Sequence, residues 1–244
     1  LRLAGLFIGF ILIFQGAFSQ ELSSQDTFHN SLMIGAKAHS FGWGLDVQYI
    51  HKNGGKGLIF AWDFATVKDR REIKRASVYK DQGGKDFVFD KINSLYTTSF
   101  TVGPMITLLP KNDFSKMVFR GSISAGPVLG ILKPYYLELF VPSTVNPNTG
   151  YAELGIYDHN TVVITDIIGA ASYFNGFSDL TFKPGAEIRA QGILDFATSS
   201  SFVRALTVAF QVQGFGSGIP ILDKQEDKQL YISGQIGFLI GNAW

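Results

Sequence analysis

The chain contains no cysteine in 244 residues. No disulfide framework, thiolate metal site or cysteine nucleophile can be built from it. Anchoring through a lipidated N-terminal cysteine is excluded as well. Charge is also scarce, at 17% of residues against roughly 25% in a typical soluble domain. The formal net charge of +1 supplies no global field that would draw nucleic acid. Histidine occurs four times, at no spacing that suggests zinc. Beyond the first segment no apolar run approaches the ~20 residues a helix needs to cross a bilayer. If the protein sits in a membrane, it must cross as strands, whose backbone groups pair with one another.

What is abundant points the same way. The chain has 22 Phe, 9 Tyr, 3 Trp and 27 Gly, and 46% of it is hydrophobic. Strand formers and turn formers dominate, and the aromatic content excludes a disordered chain.

Residues 1–19 read as an export signal. Arg2 precedes an apolar run from Leu3 to Phe14, and Gly16 breaks it. Ala17 and Ser19 fit the small-x-small cleavage rule, which places cleavage after Ser19. Removing this leader takes away Arg2 and no acid, so the formal charge falls to zero. The expected organisation is a signal peptide at 1–19, a short periplasmic N-terminal segment at 20–30 and one domain at 31–244.

In that domain apolar residues recur at every second position, the period of a half-buried strand. Eight segments carry the pattern: 31–39, 43–51, 57–67, 95–108, 117–132, 180–196, 204–214 and 230–241. The sixth is the clearest. Leu180, Phe182, Ala186, Ile188, Ala190, Leu194 and Phe196 alternate with Thr181, Lys183, Glu187, Arg189, Gln191 and Asp195. Hairpin signals at Asn53-Gly54-Gly55, Lys111-Asn112-Asp113 and Thr198-Ser199-Ser200 separate neighbours. Short turns thus follow the second, fourth and sixth segments, and long connections follow the third, fifth and seventh. Outer-membrane barrels have short periplasmic turns and long external loops. The Phe41-Gly42 turn is the one short connection on the external side.

Alternation alone does not say which face points inward. In a soluble lipocalin-like barrel the apolar face is inside and the outer face would be rich in Lys and Glu. Here the polar face is Ser, Thr, Gly, Gln and Ala with a few charges of both signs, which suits a narrow lumen packed with side chains. The expected fold is therefore all-β: a closed antiparallel up-and-down transmembrane barrel of about eight strands with long external loops. Pro104, Pro127 and Pro184 fall on the apolar face inside predicted strands. Each adjoins a glycine, so bulges or rim positions are expected there.

The final segment, Tyr231 to Trp244, ends in an aromatic after an alternating strand and resembles the C-terminal insertion signal of outer-membrane barrels. Several strings also resemble a family of uncharacterised bacterial outer-membrane β-barrel proteins of similar length. They are Lys91-Ile92-Asn93-Ser94-Leu95-Tyr96, Gly130-Ile131-Leu132-Lys133-Pro134-Tyr135-Tyr136, Lys183-Pro184-Gly185-Ala186, Arg204-Ala205-Leu206 and Gly241-Asn242-Ala243-Trp244. The resemblance implies the fold and a location in the cell outer membrane. It carries no catalytic motif.

Several constellations are candidates for function. Inside the barrel, Lys37, Asp46, Asp63, Arg120, Lys183, Glu187, Arg189 and Asp195 share the polar face. Eight strands enclose only room for side chains, so a charge network there must be internally paired, and an open diffusion channel is not expected. The segment 68–91 carries eight cations, and Arg70, Arg71, Lys74 and Arg75 could cluster on a turn suited to phosphate oxygens. The connection 133–178 is too long for an inert loop and too aromatic for disorder. It is expected to cap the barrel mouth or dock a partner, with Tyr135 and Tyr136 as candidate contacts.

The functional expectation is a non-enzymatic outer-membrane barrel of structural or accessory role. Its partners would be outer-membrane lipid and a protein in an outer-membrane complex, and no cofactor is expected. Two readings compete: a rim-active enzyme on lipid or peptide using His159 beside Asp158 with Ser172 nearby, and a soluble periplasmic ligand-binding barrel.

Overall fold

The computed structural model describes residues 29–53, 56–109, 117–143, 150–196 and 201–244. The expected leader, nearly all of the 20–30 segment and the turn residues at 54–55, 110–116 and 197–200 lie outside the described residues.

Among the described residues thirteen strands follow one another. They are β1 (Asn30–His39), β2 (Gly42–Asn53), β3 (Lys56–Val67), β4 (Ile73–Arg75), β5 (Phe87–Phe89), β6 (Asn93–Leu109) and β7 (Val118–Pro134). Then come β8 (Tyr136–Pro142), β9 (Gly150–Ile156), β10 (Ile167–Ala170), β11 (Thr181–Asp195), β12 (Phe202–Ile219) and β13 (Lys228–Ala243). Eight of them close a barrel in the order β1-β13-β12-β11-β7-β6-β3-β2. Every barrel strand pairs antiparallel with its sequence neighbour in the ring. The ring closes where β1 meets β13, from Ser31↔Ala243 to His39↔Gln235. The closing Trp244 is tied in by backbone hydrogen bonds to Asn30. These are the eight segments expected from the alternation, with β12 running on to Ile219 rather than stopping at Gly214.

The apolar face points out. Leu32, Ile34, Trp62, Phe100, Ile188, Val208, Phe210 and Ile236 are each about half exposed or more, on every side of the ring. Water would not tolerate so continuous an apolar surface on a monomer, and hydrocarbon would. The lipid-facing Trp62 satisfies its indole N–H on Thr98 Oγ1 at 3.0 Å, within the same face. This inside-out burial is the reverse of a soluble ligand-binding barrel and gives a barrel that crosses a bilayer.

Pro104, Pro127 and Pro184 do lie within strands; of the two expected accommodations no bulge is present at any of them, and Pro184 takes a position near the outer rim of β11. The ladder runs unshifted through Leu58↔Pro104, Ala186↔Pro127 and Pro184↔Leu129. A bulge accommodates an extra residue, whereas an outward proline only removes one donor. The neighbouring glycines answer a different need. A Cβ on Gly103 would stand 2.0 Å from the Ile123 carbonyl, and one on Gly126 would stand 2.0 Å from that of Phe100. Only glycine lets β6 and β7 approach so closely. The barrel's register shifts fall elsewhere, between Thr107 and Leu109 and between Gly214 and Ile219.

The lumen is layered. At the end of the barrel that carries the short turns, Met33, Ile50, Ile59, Met105, Ile193 and Leu239 form one buried apolar cluster. At the other end Leu95, Leu132, Phe215, Ile219, Ile221 and Leu222 form a second, with Phe41 packed on it. Polar side chains fill the middle. The outer mouth is thus closed by the β12–β13 connection and Phe41, a role the sequence had suggested for the 133–178 connection. That connection instead folds into its own sheet, in the order β10-β8-β9. Its Leu137, Tyr157 and Ile167 are buried together with Phe87 of the first long loop, with Phe89 and Ile92 against them. The two long external loops therefore share a core, and the β4–β5 hairpin belongs to the same platform.

Candidate functional site

Three places bring chemistry-bearing residues together, and the lumen is the most deeply buried. Arg189 on β11 is 1% exposed. Its Nη2 stands 3.0 Å from Asp63 and 3.0 Å from Glu187, and its Nη1 stands 3.5 Å from Asp46. Lys37 donates to the same Asp63 carboxylate. Gln48 donates to Asp46 at 2.7 Å and Gln213 to Glu187 at 2.9 Å. One guanidinium, a planar five-donor fork, thus holds three carboxylates from β2, β3 and β11. Strand alternation places every one of these side chains inside. Arg120 makes a separate pair with Asp195, at 3.3 Å near the end that carries the short turns. Lys183 departs from the expectation. It lies at the outer end of β11, half exposed, and donates to Ser217 on β12 at 3.0 Å. It has the lumen phase but sits beyond the charged layer.

The basic external segment is more neutralised than its sequence suggests. Arg71 is held by Asp69 through Nε at 2.9 Å and Nη2 at 2.9 Å, and donates to Gln225 at 2.8 Å. Lys228 also reaches Asp69, at 3.0 Å. Above all the Arg71 guanidinium, with Lys228 beside it, holds the Asp69 carboxyl far below the usual carboxylate range, against the opposing effect of burial. Lys91 pairs with Glu72 at 2.9 Å and Lys80 with Asp86 at 3.8 Å. Arg70, Lys74 and Arg75 have no carboxylate partner among the described residues. The Arg70 guanidinium lies 5.4 Å over the Phe41 ring and that of Arg75 lies 4.9 Å over Phe89, within cation–π range. All three are exposed. The expected cluster is therefore divided. Arg71 is a structural tie, and Arg70, Lys74 and Arg75 keep outward charge.

Tyr135 and Tyr136 serve the loops that carry them. The Tyr135 hydroxyl accepts from the Val88 N–H at 3.1 Å and its ring packs on the external core. Burial pushes its phenol up. The Tyr136 hydroxyl donates to Asp179 at 3.1 Å.

The third place was half visible in the sequence. Asp158 and His159 follow β9 in the long connection, and Asp223 lies in the β12–β13 connection. The His159 ring Nδ1 stands 2.6 Å from Asp223 Oδ2, and the His159 backbone N–H donates to the same oxygen at 3.0 Å. Asp158 caps its own turn, accepting from the Asn160 N–H at 2.9 Å, and that bond draws its carboxyl down. One donor atom from each of Asp158, His159 and Asp223 lies within 4.8 Å of the others. Asp90 joins from the end of the first long loop. Its carbonyl accepts from the Asp223 N–H at 2.9 Å and its Oδ2 from the Lys224 N–H at 3.3 Å. No hydroxyl nucleophile is hydrogen-bonded to His159 among the described residues, so the triad logic of a hydrolase is not assembled around it. Sequence reading missed Asp90 and Asp223 because they lie far along the chain. The adjacent Asp158-His159 pair was the only local signal.

No family model matches the chain, and no curated protein matches it. Among solved structures, Ail, the attachment invasion locus protein of Yersinia pestis, overlaps with a TM-score of 0.42 at 11% identity, covering 88% of this chain and 97% of that one. Neisserial surface protein A overlaps at 0.41 with 8% identity, covering 88% and 95%. The N-terminal barrel domain of Pseudomonas aeruginosa OprF overlaps at 0.39 with 10% identity, covering 89% and 99%. The chain is similar to these barrels in strand layout, and the membrane assignment rests on its own outward apolar face and filled polar interior.

Proposed function

We propose that the protein is a non-conducting, non-enzymatic barrel of the bacterial outer membrane that displays a folded external platform, and that this platform binds the anionic headgroups of surrounding glycolipid. The observation that carries the reading is the division of the basic segment. Arg71 and Lys91 are held in internal pairs, while Arg70, Lys74 and Arg75 stay exposed. Arg70 follows closely on Val67, the last ladder residue of β3, and lies over Phe41 in the shortest external turn. That is rim height, where headgroup phosphates sit. Guanidinium groups suit phosphate oxygens through paired donors. The non-conducting part is supported by two apolar layers that bracket the charged middle of the lumen.

The test is native mass spectrometry of the barrel extracted gently from its own membrane. Wild type should carry phosphorylated glycolipid, and Arg70→Ala/Lys74→Ala/Arg75→Ala should lose it. Equal retention by the triple variant would refute the headgroup reading. In planar bilayers the purified protein should give no conductance steps, and stable steps would refute the sealed lumen.

One observation favours a protein partner as a second reading. β9 is an edge strand of the outer sheet, and six of its seven residues, including Tyr151 and Leu154, are exposed. An exposed edge offers unpaired backbone groups to an incoming strand. Crosslinking from position 152 in intact membranes should then capture one protein at a stoichiometric level, and its absence would remove this reading.

A further inference from the structure

We infer that Asp158, His159 and Asp223, with the buried carboxylate of Asp90 beside them, form an external binding site for one divalent transition-metal ion of the zinc class, and that the ion clamps the external segments together. This goes beyond the headgroup reading and does not depend on it.

Geometry supplies the first support. The three groups present one nitrogen and two carboxylate oxygens within 4.8 Å of one another. Around a tetrahedral zinc ion with bonds of ~2.1 Å, ligand atoms stand roughly 3.4 Å apart. Closure of about 1.4 Å or less brings the donors to a common centre. His159 and Asp223 are only partly buried, so their side chains can make that movement.

Asp90 supplies the second and independent support. It is 9% exposed, and its Oδ1 is buried with no hydrogen-bond partner. Its other oxygen and its carbonyl are anchored on the backbone of Lys224 and Asp223, so the carboxylate is held against the residue that contacts His159. A buried, unpartnered carboxylate oxygen costs stability, and a cation would remove that cost.

Ligand chemistry chooses the ion. Imidazole with carboxylates suits zinc and its first-row neighbours, whereas calcium and magnesium take oxygen donors. The consequence follows from where the residues come from. Asp90 ends the first long loop, Asp158 and His159 sit in the second, and Asp223 sits in the third. An ion there would fix the platform to the connection that closes the barrel mouth.

The experiment is calorimetric titration of the full chain, folded in detergent micelles, with Zn²⁺, and with Ca²⁺ and Mg²⁺ as comparison ions. Folding of every variant is checked by heat-dependent gel mobility. Wild type should bind one Zn²⁺, at least tenfold more tightly than Ca²⁺ or Mg²⁺. His159→Gln and Asp223→Asn should each weaken it at least tenfold. Asp90→Asn preserves shape at a left-handed backbone position (φ 64°) that asparagine tolerates, so it should fold even if another variant does not, and it should weaken Zn²⁺ several-fold. In wild type alone, Zn²⁺ should slow proteolysis of the external loops. Absence of Zn²⁺ binding, a preference for Ca²⁺, or unchanged affinity in the folded variants would overturn the site.

Discussion

Arg189 Nη2 stands 3.0 Å from the Asp63 carboxylate across the barrel interior, although β11 and β3 are not neighbours in the sheet. The contact ties opposite walls together and belongs to a layer in which two cations, Arg189 and Lys37, meet three acids, Asp46, Asp63 and Glu187. Truncating Arg189 removes the one group that bridges all three carboxylates and leaves Lys37 as the only cation among the described residues of the layer. Breaking a buried pair by removing one partner costs about 3–5 kcal/mol. Arg189→Met should therefore destabilise the folded barrel by that amount in urea unfolding from lipid vesicles. Arg189→Lys should recover little, because a single ammonium cannot reach three carboxylates as a guanidinium fork does. Full stability in either variant would mean that the lumen network is ornamental.

The external tie at Asp69 makes a prediction about pH. Hydrogen bonding from Arg71, opposed by burial and helped by Lys228, lowers the Asp69 carboxyl far below its ordinary value. A depressed folded pKa contributes stability that is present above the unfolded value, about 3.9, and is lost only as pH falls toward the folded one. Between pH 7 and pH 5 the tie should not change. Amide protection at Arg71 and Glu72, whose N–H groups bond to Asp69, should be equal at the two pH values after correction for intrinsic exchange. Asp69→Asn should lower it at both. A loss of wild-type protection between pH 7 and pH 5 would contradict the assignment.

The turn after β10 should touch lipid. Lys133 leaves the outer end of β7 on the outward face and donates to the carbonyls of Tyr173 at 2.8 Å and Asn175 at 3.0 Å. Its ammonium lies 4.7 Å from the Tyr173 ring centre and 5.1 Å from that of Phe177. Tyr173 also shares a 2.8 Å hydroxyl contact with Tyr96. This turn folds down onto the barrel's outer wall and leaves Phe174 79% exposed, at the level where aromatic girdles sit. In vesicles a Phe174→Trp probe should emit to the blue and be quenched by labels near the headgroups. Emission at the wavelength of water-exposed tryptophan would show that the turn stands clear of the bilayer.

Most of the barrel was legible in the sequence because a period of two is hard to imitate over eight segments, and because the polar face was poor in Lys and Glu. Strand ends were less legible. β12 runs to Ile219 because the ladder resumes at Ile219↔Lys228 past an irregular stretch, beyond the lipid-facing alternation. The outer sheet β8–β10 escaped notice because its strands pack on a neighbouring loop and on no extended surface, which weakens alternation. Lys183 carried the right phase and the wrong depth, and phase is all that alternation reports. The Asp90–Asp158–His159–Asp223 cluster is assembled only by tertiary folding, so a linear reading saw one adjacent pair and no site.

The central claim is that the apolar face of this barrel meets hydrocarbon. Ile188 tests it most directly. It lies midway along β11, opposite Ala125 and Val212, and is 59% exposed. An arginine at the bilayer midplane costs about 2–4 kcal/mol, whereas a surface substitution on a soluble barrel stays within about 0.5 kcal/mol. Reversible unfolding of Ile188→Arg from lipid vesicles should show the larger loss. Stability equal to wild type would place that face in water and contradict the transmembrane barrel.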